Sequence, residues 1–176
     1  MYEVYRETIL KEIQDAKFVA VQADETTDIS CMSQMVILLR YVIDSGPVER
    51  LVSFVNINDR TAEGIASVLK EQLEPFKLQE KLIAQSYDGA AVFSGGNNGV
   101  QVKLRESFPY AHFIHCYAHQ LNIVIKKACS SVNSMKLFFI NISGFSSFFS
   151  VSPKRTDLQR TVCGRVIPKV SETRWN

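Results

Sequence analysis

Cysteine is sparse in this chain and badly spaced for cross-linking. The 176 residues include four, Cys31, Cys116, Cys129 and Cys163, with no Cys-x-x-Cys pair among them. That is no disulfide framework for a chain of this size, and it points to reduced thiols in a cytosolic or nuclear setting. Eight Gly and five Pro are too few for a collagenous or low-complexity class. A dominant charge is missing as well, since a formal net charge of +2 commits the molecule neither to nucleic acid nor to an acidic surface. The asymmetry is local: residues 152–176 sum to +4 and residues 1–151 to −2. No apolar run opens the chain, where Glu3 and Glu7 stand, so no secretory leader is expected. The uncharged Phe-rich stretch from Leu137 to Pro153 has seventeen residues and is interrupted by five serines, an Asn and a Gly. A bilayer span needs roughly 20 mostly apolar residues, so no membrane partner is expected.

What is present suits a folded core, with 46% apolar and 22% charged residues. Residues 3–16 read as a helix, with Val4, Ile9, Ile13 and Ala16 on one broad face. Three short β-rich segments follow: Phe18–Ala23, Gln34–Ile43 and Leu51–Ile57. The turn residues Asp44-Ser-Gly-Pro47 join the second to the third and make that pair antiparallel. Thr61 has the chemistry of an N-cap, because its hydroxyl can accept from an orphan amide of a first turn. Behind it Ala62, Ile65, Ala66, Leu69, Leu73 and Phe76 form the clearest amphipathic stripe in the chain. Leu82–Ala84 predicts a fourth strand, and Val100, Leu104 and Phe108 mark a helix that Pro109 stops. Ala111–His115 predicts a fifth strand before a helix carrying Leu121, Val124, Ile125 and Ala128. Phe138, Ile142, Phe145 and Phe149 also repeat at helical spacing, and no linker-like run precedes Ser152. The order β-β-β-α-β-α-β-α is that of a ribonuclease H-like α/β fold, a mixed five-stranded sheet flanked by helices. The expected division is a core over residues 1–151 and a basic segment over residues 152–176.

Two aspartates stand where strands end. Asp24 closes the first strand and Asp88 follows the fourth, and the carboxyl ends of strands in α/β sheets open onto the ligand crevice. If those strands are parallel neighbours, the two carboxylates converge and offer hard oxygen ligands to Mg²⁺ or Mn²⁺. A pair of such ions can activate a nucleophile and stabilise the leaving oxygen in phosphodiester chemistry. The bland reading is that Asp24 caps a strand and Asp88 nucleates an Asx-turn ahead of Gly89; Glu25 and Asp28 compete with Asp24 on spacing alone. Cys116 and His119 could present a thiolate and an imidazole to zinc, with His115 as a third ligand, although a buried Cys and a hydrogen-bonded His are the simpler reading. The loop Ser94-Gly-Gly-Asn-Asn-Gly99 lacks the Gly-Lys-Ser/Thr of a phosphate loop and reads as a turn with an Asn cap. The Phe-rich segment reads as core, or as an interface for a protein partner or a second copy. The basic residues Lys154, Arg155, Arg160, Arg165, Lys169 and Arg174 read as solvated surface, with DNA phosphates as the alternative contact.

Four segments together resemble the hAT-superfamily transposases, in particular the zinc finger MYM-type protein 1-like domesticated group. They are FVAVQADETTD (residues 18–28), QSYDGAAVFSGGNNG (85–99), HCYAHQLN (115–122) and ETRWN (172–176). The resemblance implies a nuclear, ribonuclease H-like core that cuts and joins DNA through a metal-binding D-D-E triad, with Asp24 and Asp88 as its first two members. It assigns positional rather than catalytic roles to Cys116, His119, Arg174 and Trp175. The family's catalytic Glu lies beyond a helical insertion that this sequence does not reach. The resemblance therefore implies a partial catalytic core that is inactive alone, or else a domesticated, non-catalytic interaction module.

Overall fold

The computed structural model describes residues 2–27 and 33–166. Two compact units divide after Cys116. The first contains helix α1 (Tyr2–Asp15), strands β1 (Val19–Thr27), β2 (Ser33–Ile43) and β3 (Gly46–Asn56), then helix α2 (Ala62–Leu73) with a 3-10 turn over Glu74–Phe76. Strand β4 (Leu82–Tyr87), helices α3 (Ala91–Ser94) and α4 (Val100–Ser107) and strand β5 (His112–His115) complete it. The second unit contains α5 (Tyr117–Ser131), α6 (Asn133–Ser150) and α7 (Pro153–Cys163).

The sheet order is β3-β2-β1-β4-β5, with β1 antiparallel to β2 and parallel to β4. This is the mixed five-stranded, helix-flanked sheet of a ribonuclease H-like fold. Alternation along each strand assigns side chains to two faces. One face carries Val21, Ala23, Met35, Ile37, Leu39 and Tyr87, all buried in a single core with Ile9 and Ile13 of α1, Leu69 and Leu73 of α2, and Leu104 of α4. Phe76 reaches the same core from the 3-10 turn rather than from the helix its spacing suggests, because Pro75 ends the α-helical bonding. Thr61 caps α2 as expected, its Oγ1 accepting from the Gly64 amide at 3.2 Å.

The third strand is longer than its alternation indicates, and the reason is a bulge. The pairing of β2 with β3 shifts between Ile37↔Ser53 and Leu38↔Leu51, leaving Val52 as the extra residue. A one-residue slip reverses the faces. Val52 turns into the core, and Arg50 lands on the α1 side instead of the open side. There its guanidinium donates to both carboxylate oxygens of Glu12, at 2.7 and 2.9 Å, while the Tyr41 hydroxyl donates to Oε2 at 2.7 Å. This fork and hydroxyl hold the Glu12 carboxyl below the usual carboxylate range, Arg50 first and Tyr41 second. Burial, then the Glu12 bond, pushes the Tyr41 hydroxyl upward.

A carboxylate whose pKa is depressed on folding stabilises the fold above its ordinary range and loses that contribution as pH falls through the folded value. Glu12→Gln is therefore expected to lower stability near neutral pH by about 1.5–2 kcal/mol, the low end for hydrogen bonds to a charged group because the pair is partly exposed. The difference between the two proteins should shrink as pH falls below the carboxylate range. Urea midpoints measured across pH check this; a gap that stays constant into acid would contradict it.

The helical unit adds one element to which the sequence reading gave no secondary structure. The basic segment after Ser152 opens with the helix α7, with Pro153 in its first turn and Gly164 closing it at φ 69°. Both are ordinary start and stop signals, since Pro lacks the amide that would go unbonded there and Gly takes the left-handed conformation without cost. Arg155 stands over the Phe148 ring at 4.0 Å and donates to the Phe148 carbonyl, joining α7 to α6. No described helix is long and apolar enough to cross a membrane.

Candidate functional site

The parallel pairing of β1 with β4 decides where the two aspartates stand. Its last rungs are Val21↔Gln85 and Gln22↔Ser86. Continued at the same offset, Asp24 comes level with Asp88, on adjacent strands about 5 Å apart. Both lie on the face opposite the core, but Asp24 stands inside β1, which stays paired with β2 as far as Thr27, rather than closing the strand as its sequence suggests. Asp24 is exposed and Asp88, one residue past β4, is half-buried. Glu25 falls on the other face by alternation and forms an ion pair with Arg60 at 3.3 Å, so it does not share the site. Asp28 lies outside the described residues.

The Asp88 carboxylate also has local work. It accepts from the Ala90 amide at 3.0 Å, the Asx-turn that its place ahead of Gly89 suggests. The Ser94 hydroxyl closes the same turn, donating to the Gly89 and Ala90 carbonyls. Directly before it, Tyr87 points into the core between Phe93 and Phe113, with ring centroids 5.1 and 6.1 Å away. Burial pushes its hydroxyl well above the ordinary tyrosine range.

Over residues 2–99 the chain matches DUF4371, described as the ZMYM1/FAM200 RNase-like domain. The chain belongs to this family. The match spans both aspartates and runs to Gly99 at the end of the glycine-rich loop. It agrees with the hAT-transposase-like resemblance carried by the sequence motifs.

In this RNase-like domain the glycine-rich loop is a packing device. A Cβ on Gly99 would sit 2.5 Å from the Gly95 carbonyl oxygen and 2.8 Å from that of Phe93, and one on Gly95 would sit 2.9 Å from the Ala91 carbonyl oxygen. The expected Asn cap is absent: Gly99 itself occupies the N-cap of α4, without a side-chain bond. Gln85 is a site-supporting residue that the sequence reading passed over. Fully buried on β4, it donates from Nε2 to the carbonyls of Gln101 at 3.0 Å and Ala111 at 2.7 Å, fixing β4 against α4 and the entry to β5. The available signal was a polar residue at a core position of an otherwise apolar strand.

His112 falls on the open face of the sheet, and His115 on the core face, edge-on to Phe113 at 4.8 Å. The Cys116 amide donates to the Tyr87 carbonyl at 2.9 Å, ending the sheet unit, and His119 belongs to the helical one. Among the described residues no group of three or more His, Cys, Asp or Glu side chains is placed to hold a metal ion. Arg174 and Trp175 lie outside the described residues, as do Cys31 and Lys169.

Proposed function

We propose that this family member is a domesticated, non-catalytic interaction module of the nucleus, built on a transposase-related core that keeps the shape of the fold without its chemistry. The observation carrying the reading is α6, where Leu137, Phe138, Ile140, Ile142, Phe145 and Phe148 are all exposed. Contiguous exposed apolar surface marks contact sites for other macromolecules. The basic residues of α7 favour protein over phosphate as the partner. Arg155 is engaged by Phe148 and its carbonyl, and Arg160 faces Asp157 at 3.4 Å.

The transposase resemblance implies Mg²⁺ or Mn²⁺, and the donor set fits poorly. Asp24 and Asp88 supply two carboxylates, and one of them already serves the Ala90 amide. Two carboxylates can attract a single hydrated ion, but a two-metal centre bridges and clamps its ions with more ligands than these. No cleavage step is derived through it.

A second reading, a partial transposase core with a metal site at Asp24 and Asp88, is favoured by the shared offset that sets the two side by side. Calorimetric titration with Mg²⁺ and Mn²⁺ separates the readings. The interaction module is expected to give the same featureless heats for the native chain, Asp24→Ala and Asp88→Ala. Saturable binding lost in both variants would replace it with the metal-site reading.

A further inference from the structure

Two irregularities of the sheet unit meet at a cavity. The bulge at Val52 interrupts the regular face of β3, and Pro75 ends α2 in a 3-10 turn that closes at Lys77 with φ 50°. Bulges commonly re-aim side chains beside functional sites. Between these features and the first turns of α1 lies a cavity of about 260 Å³. Its buried lining residues, Ile9, Val52 and Phe76, form an apolar floor, while Leu51 and Pro75 are exposed at the mouth. Two charged side chains line it from different helices, Arg6 from α1 and Glu71 from α2. They do not pair with each other, and among the described residues neither has another ion-pair or hydrogen-bond partner. The helix ends reinforce this polarity. Arg6 lies near the start of α1, its positive end, and Glu71 in the last turn of α2, its negative end.

We propose that this cavity anchors one large apolar side chain from a peptide segment of a partner protein, flanked by a carboxylate on one side and a cationic group on the other. Size selects the class. Sites that enclose drug-sized molecules run from about 300 to 1,000 Å³, so this one takes a single side chain rather than a whole cofactor. Charge selects the flanks. Arg6 offers a bidentate fork to a carboxylate and Glu71 an acceptor to a cation, whereas a segment with like charges at both ends meets repulsion at one of them. A nucleic-acid strand is the poorer fit, since Glu71 would face its phosphates. The inference goes beyond the interaction-module reading and does not depend on it. Every lining residue belongs to the sheet unit, and none to α6 or to the Asp24–Asp88 pair.

Titration of the isotope-labelled full chain with two blocked pentapeptides, Gly-Asp-Phe-Lys-Gly and Gly-Lys-Phe-Asp-Gly, tests this by amide chemical shift. One order is expected to bind saturably and more tightly than the other, with shifts confined to residues 5–9, 51–52 and 71–76. Replacing the phenylalanine of that peptide by alanine should abolish saturation. Arg6→Glu and Glu71→Lys should each weaken it by about tenfold or more. The double reversal should restore binding and exchange which order is preferred, an outcome that loss of structure cannot produce. Circular dichroism checks that each variant keeps its fold. No saturable binding of either peptide, equal binding of both orders, shifts centred outside the cavity, or a double reversal that keeps the native preference would overturn the proposal. Acetylphenylalanine amide binding as tightly as either peptide would also overturn it, in favour of a small-molecule site.

Discussion

Leu69→Ala is expected to lower the unfolding free energy by about 3 kcal/mol or more, the middle of the range for a fully buried Leu. Leu69 has no exposed surface and lies on the α2 stripe with Ile65, Ala66 and Leu73, which are equally buried. The loss has two parts: the transfer free energy of the removed atoms, and the cavity that remains because the sheet beneath cannot collapse into it. Five hydrogen-bonded strands hold that surface in place. Chemical denaturation monitored by circular dichroism measures the effect as a lower urea midpoint at unchanged slope. A loss below about 1 kcal/mol would mean that α2 is not seated on the sheet as described.

Gly99→Ala is expected to cost a similar amount, about 3 kcal/mol, by the opposite mechanism of overpacking. The added methyl would meet the Gly95 carbonyl oxygen at 2.5 Å, its amide nitrogen at 2.6 Å and the Phe93 carbonyl oxygen at 2.8 Å. All three are backbone atoms, and no side-chain rotation relieves them. The Gly99 amide also donates to the Gly95 carbonyl at 3.0 Å, so the loop cannot open without losing that bond. Gly96→Ala is the matched control, because nothing lies within 4 Å of its Cβ position. Equal stability of the two variants would contradict the close-packed description and restore the alternative of a flexible loop.

The contrast between these glycines shows where sequence reading stops. The α2 stripe, the Thr61 cap and the strand order follow from periodicity and turn chemistry, which are local. The place of Asp88 just past β4 was equally legible, whereas Asp24 lies inside β1, which runs on to Thr27. Their common offset was not legible, because it depends on which strands become neighbours. The Val52 bulge was hidden for the same reason: Leu51 to Ile57 alternates well enough to be read as one regular strand. Only pairing with β2 reveals that the face changes there and delivers Arg50 to Glu12. Gln85 and Gly99 carry requirements set by backbone atoms far along the chain or across a tight loop, and composition records neither. In α7 the signals were present in Ser152-Pro153 and Gly164, but its charged composition concealed the helix.

Paramagnetic broadening by Mn²⁺ tests the central claim most directly, because it reports both whether an ion binds and where. If the carboxylate rim survives as shape without metal chemistry, the amide signals of residues 22–25 and 86–90 should keep their intensity relative to the rest of the chain as Mn²⁺ is added. Selective loss of those signals at substoichiometric Mn²⁺, abolished by Asp24→Asn and by Asp88→Asn, would contradict the account and mark the domain as a working metal centre.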